Sequence, residues 1–184
     1  MRRLIIKNIV LGDTSMKIEI PTMNGFIPDC YSKFANADQK IEGKPSRSFP
    51  IFITDAPDNA KTLAVYFRDF DSVPVCGFTW IHWLAANLPV QDIPANISHS
   101  KNTSLDFVQG NNSNISKFLG ENSGPVEGYT GPMPPDKTHY YTLTVYALDT
   151  KLDLKEGYWL NDFLRKMEGH IIDSATISVP SRAK

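Results

Sequence analysis

Thirteen prolines and eleven glycines are spread along the whole chain of 184 residues. Proline removes a backbone donor and fixes φ, while glycine adds backbone freedom that a helix must give up, so neither lets a long helix run through. The punctuation predicts many short strands joined by turns. The segments between the punctuation marks agree. MKIEI (16–20) alternates apolar and polar residues, as a strand with one buried face does. KTLAVYF (61–67) is almost continuously apolar, as a central strand buried on both faces would be. FTWIHWLAANLP (78–89) is a further strand, ended by Pro89. In YYTLTVYALD (140–149), Tyr141, Leu143, Val145 and Ala147 alternate with Tyr140, Thr142, Thr144 and Tyr146.

One helix is expected, within GYWLNDFLRKMEGH (157–170). Trp159, Leu160, Phe163, Leu164 and Met167 recur at helical spacing, and Gly169 stands where a C-terminal cap belongs. HIIDSATISV (170–179) returns to strand character. MNGFIP (23–28) opens with an Asn-Gly turn signal, residues 35–47 read as a polar loop, and SFPIFITDAPDNA (48–60) holds a brief β-branched and aromatic run and then a turn rich in Asp, Pro and Asn. Residues 100–128 are rich in Ser and Asn, with a helical turn or two expected around Ile115–Leu119. The fold expected is mainly β, as one domain over residues 1–184.

Composition excludes more than it selects. The formal net charge is -1 and the pI near 6.4, which gives no basic footprint for nucleic acid. Cys30 and Cys76 show no CxxC spacing and read as reduced thiols. MRRLIIKNIVLG begins like a leader, but Lys7 and Asn8 interrupt its apolar run and no small-residue cleavage site follows. GFTWIHWLAANLPV is too short to span a bilayer. A cytoplasmic protein with no stable membrane insertion is the expectation.

Several polar residues do not fit a core. Asp69 and Asp71 lie just past the 61–67 strand. His82 interrupts an apolar strand, and at period two it shares a face with Trp80 and Leu84, against Ile81 and Trp83. His139 ends the stiff stretch GPMPPDKT. His99 reads as a solvated loop residue, and His170 suits the carbonyls at the helix end. The plain structural alternative for His82 is a core histidine bonded to a carbonyl or an aspartate. Three chemistries could use the set. Two His and two Asp suffice for zinc, but no HxH or HExxH spacing appears. No Ser or Cys sits in a nucleophile elbow. An anion site would use imidazole N–H donors and a backbone N–H at Gly131, with the aspartates fixing the ring tautomers. The last ranks first on chemistry.

These stretches together resemble one family. DFDSVP (69–74) is similar to the DPDxP signature of the phosphatidylethanolamine-binding proteins, and IHWLAANLP (81–89) to their HWxxxNIP. GYTGPMPPDKTHYY (128–141) resembles the bacterial GYxGPxPPxGxHRY, and YALD (146–149) with MEGHIIDSATISVPSR (167–182) resembles the bacterial endings. The nearest pattern is the bacterial Raf-kinase-inhibitor-like branch. The resemblance runs from about Ile18 to Arg182. It implies a large central sheet flanked by a smaller one, a C-terminal helix nearby, and a pocket for phosphate or a phospholipid head group. By the same resemblance Asp69, Asp71, His82, Gly131, Pro132, His139 and Tyr141 line that pocket. Phe70 stands in place of the proline of DPD and Tyr140 in place of the arginine of HRY, and SRSFPIFI (46–53) is no clean copy of the family's NxSPPLxW.

The leading expectation is a non-enzymatic protein that binds a small phosphate- or carboxylate-bearing ligand, with no cofactor and no metal. The alternatives are a regulator docking on a kinase or protease through Phe70, Val73, Val75 and Phe78, and a hydrolase using the His/Asp cluster. A homodimer is compatible with the sequence, though no feature demands one.

Overall fold

Strand β5 (Thr62–Asp69) is the middle strand of a five-stranded antiparallel sheet. The computed structural model describes residues 15–101, 103–119 and 124–184. The leader-like segment at residues 1–14 lies outside the described residues. The sheet order is β7 (Val108–Gln109), β6 (Trp80–Leu88), β5, β8 (His139–Leu148), β9 (Ile171–Ser181).

Both faces of β5 are covered, which is why its sequence is apolar without alternation. Leu63, Val65 and Phe67 face one core, with Leu143, Val145 and Ala147 of β8 and Ala175 and Val179 of β9. A two-stranded sheet of β1 (Lys17–Glu19) and β4 (Phe52–Thr54) brings Ile18 to this core, and Met16, Ile20 and Ile51 join it from residues beside those strands. Phe49 is its hub, meeting Tyr31, Phe67, Trp83 and Tyr129 edge to face. Ala64 and Tyr66 face a second core with Leu84 and Ala86, covered by Leu152, Tyr158, Phe163 and Met167.

Two bulges adjust β6. Pairing passes from Phe67↔Trp83 to Arg68↔Ile81, leaving His82 as the extra residue. A bulge reverses the inward face of a strand without changing its composition. His82 therefore lies on the Phe67 and Trp83 face, not with Leu84, which packs in the second core. The period-two expectation is corrected here. The second bulge sits at Asn87, whose φ is 66°. Its amide pays for that conformation by donating to Leu152 O and accepting from Leu152 N, at 3.0 and 2.7 Å.

The helix is shorter than its pattern. It spans α2 (Leu160–Met167), after a four-residue α1 (Val73–Cys76). Phe163 and Met167 are buried, whereas Trp159 and Leu164 are about half exposed, so the inward stripe is narrower than expected. Gly169, at φ 78°, turns the chain into β9, so a strand follows the helix. The Asn-Gly turn is present, with φ 52° at Asn24 and 81° at Gly25 between bridged Met23 and Phe26. The 35–47 loop contains a small hairpin, β2 (Lys40–Ile41) and β3 (Lys44–Pro45).

Beyond β7, the Ser/Asn-rich stretch is held largely by side chains. It forms 3₁₀ turns at Ser113–Ile115 and Lys117–Leu119. Asn112 donates to Pro125 O and Gly128 O, Asn114 donates to Pro125 O, and Ser113 Oγ accepts the Ile81 amide.

Candidate functional site

Asp69, His82, His139 and Tyr141 meet at one end of the large sheet, on the face of the first core. Period two carries β5 from Leu63 through Phe67 to Asp69, and β8 from Ala147 back through Tyr141 to His139. Asp69 pairs across the ladder with Tyr141 on one side and Trp80 on the other. The bulge supplies His82 from the third strand. All four line a cavity of about 220 Å³, with Trp80, Val75, Pro134 and Pro135 as apolar walls.

Thr130 fixes His82 from two directions. The Thr130 amide donates to His82 O at 2.8 Å, and His82 Nδ1 lies 2.7 Å from Thr130 O. A carbonyl can only accept, so Nδ1 carries the proton and the neutral ring has its lone pair on Nε2. Burial drives the His82 pKa down to about 4, against smaller opposing effects of Thr130 O and Asp69. His82 is neutral at physiological pH. The imidazole N–H expected to donate to a ligand is taken by Thr130 O, and the remaining nitrogen of the neutral ring is an acceptor.

His139 is the opposite case. Its Nδ1 is 2.7 Å from Asp69 Oδ2 and its Nε2 is 2.9 Å from Asp136 Oδ1. Burial pushes its pKa down, but the Asp69 and Asp136 carboxylates outweigh that and hold it above the ordinary value. Imidazolium satisfies both partners, each nitrogen donating. The contact with His139 holds the Asp136 carboxyl below its usual range. Tyr141, 1% exposed, has its pKa raised by burial and then by the adjacent Asp69.

Three residues expected in the pocket do other work. Asp71 is not among the cavity residues; its Oδ2 accepts the Tyr140 amide at 2.8 Å and ties the β5 exit to the start of β8. Pro132 is buried away from the cavity, and its carbonyl accepts the Lys33 amide. Gly131 lines the cavity, but its N–H is spent on Pro45 O at 2.7 Å. A Cβ there would stand 2.5 Å from Tyr31 O and 2.7 Å from Pro45 Cβ, so glycine is needed for close packing. His99 is half-buried, with Nε2 2.8 Å from Tyr129 O and its pKa lowered by burial. His170 meets Asp149 at 2.8 Å.

Other residues at the site escaped the sequence reading. Met133 lines the cavity, and its amide has no protein acceptor among the described residues. Lys44 also lines it, carried there by the β2–β3 hairpin, and has no carboxylate partner among the described residues. Glu42 and Gly43, both at positive φ, make that tight turn, which an Glu-Gly pair signals only weakly. Asp136 sits three residues before His139, inside the quoted loop, and its pairing was the legible clue missed. Ser72 replaces the rigidity lost at Phe70. Its amide donates to Asp69 Oδ1 at 3.2 Å and its hydroxyl to Asp69 O at 2.7 Å, closing the turn with side chains.

Comparison with known proteins gives the family and the fold. Residues 18–182 match the profile of the family described as phosphatidylethanolamine-binding protein. The chain belongs to the phosphatidylethanolamine-binding protein family. Bacillus subtilis YxkA is 46% identical over 162 residues, covering 86% of this chain and 95% of that protein. The UPF0098 protein PH1269 of Pyrococcus horikoshii is 33% identical, covering 88% of this chain and 74% of its own length. Among solved structures, the Chlamydia trachomatis homolog CT736 superposes with a TM-score of 0.69 at 28% identity, covering 93% of this chain and 99% of that one. Escherichia coli YbcL gives a TM-score of 0.71 at 22% identity over 92% of this chain and 99% of its own, a likeness of fold. Both family and β architecture match the expectation. Among the described residues, no helix is long and apolar enough to cross a membrane.

Proposed function

We propose that this family member binds a small oxyanion, a phosphate or carboxylate group on a compact molecule, and does not transform it. The observation that carries the reading is that His82, with Nδ1 committed to Thr130 O, Met133, with an amide that has no protein acceptor among the described residues, and Lys44 line one cavity. Lys44 supplies a cation where Tyr140 leaves the family's arginine absent. The apolar walls lower the local dielectric and strengthen each polar contact. A hydrogen bond to a charged group contributes about 1.5–3 kcal/mol, so a lone phosphate is held only modestly.

Calorimetric titration of phosphate and phosphoethanolamine into the wild type, His82→Ala and His139→Ala tests it. Wild-type binding that weakens at least about tenfold in His82→Ala is expected, a loss of one hydrogen bond. Equal binding by all three proteins would remove the assignment.

A second reading has an observation of its own. Phe70, Val73 and Val75 are about half exposed beside the cavity, on and around α1. Such a patch suits docking on a kinase or protease as its regulator. Retention of wild-type protein on the partner, lost in Phe70→Asp with phosphate binding intact, is the result that reading requires.

A further inference from the structure

We propose that the pocket selects an oxyanion that carries a proton of its own, because His82 presents a bare acceptor to the cavity. The inference rests on the anion reading above and narrows it. Thr130 O takes the Nδ1 proton at 2.7 Å, so Nε2 can only accept while the ring is neutral. Nε2 has no protein donor among the described residues. Charging the ring would bury an imidazolium against Phe67, Trp80 and Tyr141, whose centroids lie 5.5, 6.3 and 5.1 Å away. The depressed pKa of His82 is consistent with that cost.

The ionisable groups nearest to His82 are already engaged. Asp69 accepts from His139 and from the Ser72 amide, and His139 donates to Asp69 and Asp136. Neither can reverse the polarity of Nε2. A bound oxyanion must therefore donate one hydrogen bond to His82 and accept the rest from the Met133 amide and Lys44, since the Tyr141 hydroxyl already donates to Asp69.

That requirement sorts ligands of nearly equal shape. Inorganic phosphate keeps at least one P–OH at neutral pH. Sulfate has none, and its oxygen would face the Nε2 lone pair. A phosphomonoester has its second pKa at about 6, so it can enter by taking up one proton. A phosphodiester, the chemistry of an intact phospholipid head, has no proton to give. Sites that hydrogen-bond a ligand proton reject the analogue lacking it by large factors, because a buried group is left unpaired.

The test is wild-type calorimetry at pH 7 with phosphate, sulfate, methyl phosphate and dimethyl phosphate, joined to nitrogen NMR of the His82 ring. Phosphate is expected to bind about a hundredfold tighter than sulfate or dimethyl phosphate, with methyl phosphate between. The His82 ring is expected to stay neutral in the phosphate complex. Equal affinity for phosphate and sulfate would overturn the inference while leaving an anion site in place. So would an imidazolium signal from His82 in the complex. If no anion binds, the anion reading itself fails, and this inference with it.

Discussion

His139 and Asp69, seventy positions apart in the chain, meet at 2.7 Å between Nδ1 and Oδ2 with both side chains buried. The pair joins the end of β5 to the start of β8 at the floor of the cavity. It also sets the charge pattern of the site, since a protonated His139 balances Asp69 while His82 remains neutral. Removing Asp69 leaves buried His139 with only the half-exposed Asp136 carboxylate. Asp69→Ala is expected to cost about 3–5 kcal/mol of stability. It also removes the acceptor for the Ser72 amide. Urea denaturation measures the loss, and a cost under about 1 kcal/mol would show that the pair is not buried as described.

The two pocket histidines titrate in opposite directions. Below pH 6.5 the unfolded chain protonates its histidines, whereas folded His82 resists until about 4. Stability from His82 is therefore lost as pH falls across that window, by up to about 3 kcal/mol. His139, with a raised pKa, contributes stability that is complete below the ordinary histidine value and lost as pH rises through its folded pKa. Imidazole proton NMR between pH 4 and 8 should show His82 unchanged until the acid end and His139 titrating above 6.5. The reverse order would contradict the Thr130 and Asp69 contacts.

Asp136 should matter for protonation more than for folding. Its side chain is half exposed and sits on His139 Nε2. Asp136→Asn is expected to lower the His139 pKa and to leave the thermal midpoint nearly unchanged. A His139 titration curve identical to wild type would mean that the contact does not persist in solution.

Gly131 is a packing requirement, and a single methyl group tests it. Gly131→Ala forces a Cβ against the Tyr31 carbonyl and Pro45. Both obstacles belong to backbone or a proline ring and yield poorly. Destabilisation of about 1–3 kcal/mol, seen as a lower thermal midpoint, is expected. An unchanged midpoint would show that the 131–132 segment can shift away.

The loop GPMPPDKTHYY illustrates how far residues can be read. Its stiffness and its histidine pointed to a cavity wall, and His139 does line one. Gly131 lacks a side chain, yet its amide is committed to Pro45, and among the described residues lining the cavity the Met133 amide has no protein acceptor. Which backbone groups remain free depends on the segments packed against them, and no side-chain pattern records it.

Periodicity and motif by themselves determined the strands, the double burial of β5, the inward face of β8 and the family. Those features depend on which side chains must leave water, and that preference is written in the residue types. Tertiary structure alone decided the face and tautomer of His82, the pairing of His139 with two carboxylates, the arrival of Lys44, and the shape of residues 103–119. The bulge that turns His82 inward changes no residue type. The bonds that hold Asn112 and Asn114 run to carbonyls at Pro125 and Gly128, which any residue could provide. Side-chain chemistry is local and legible, whereas backbone hydrogen bonding between distant segments is fixed only when the chain has closed around it.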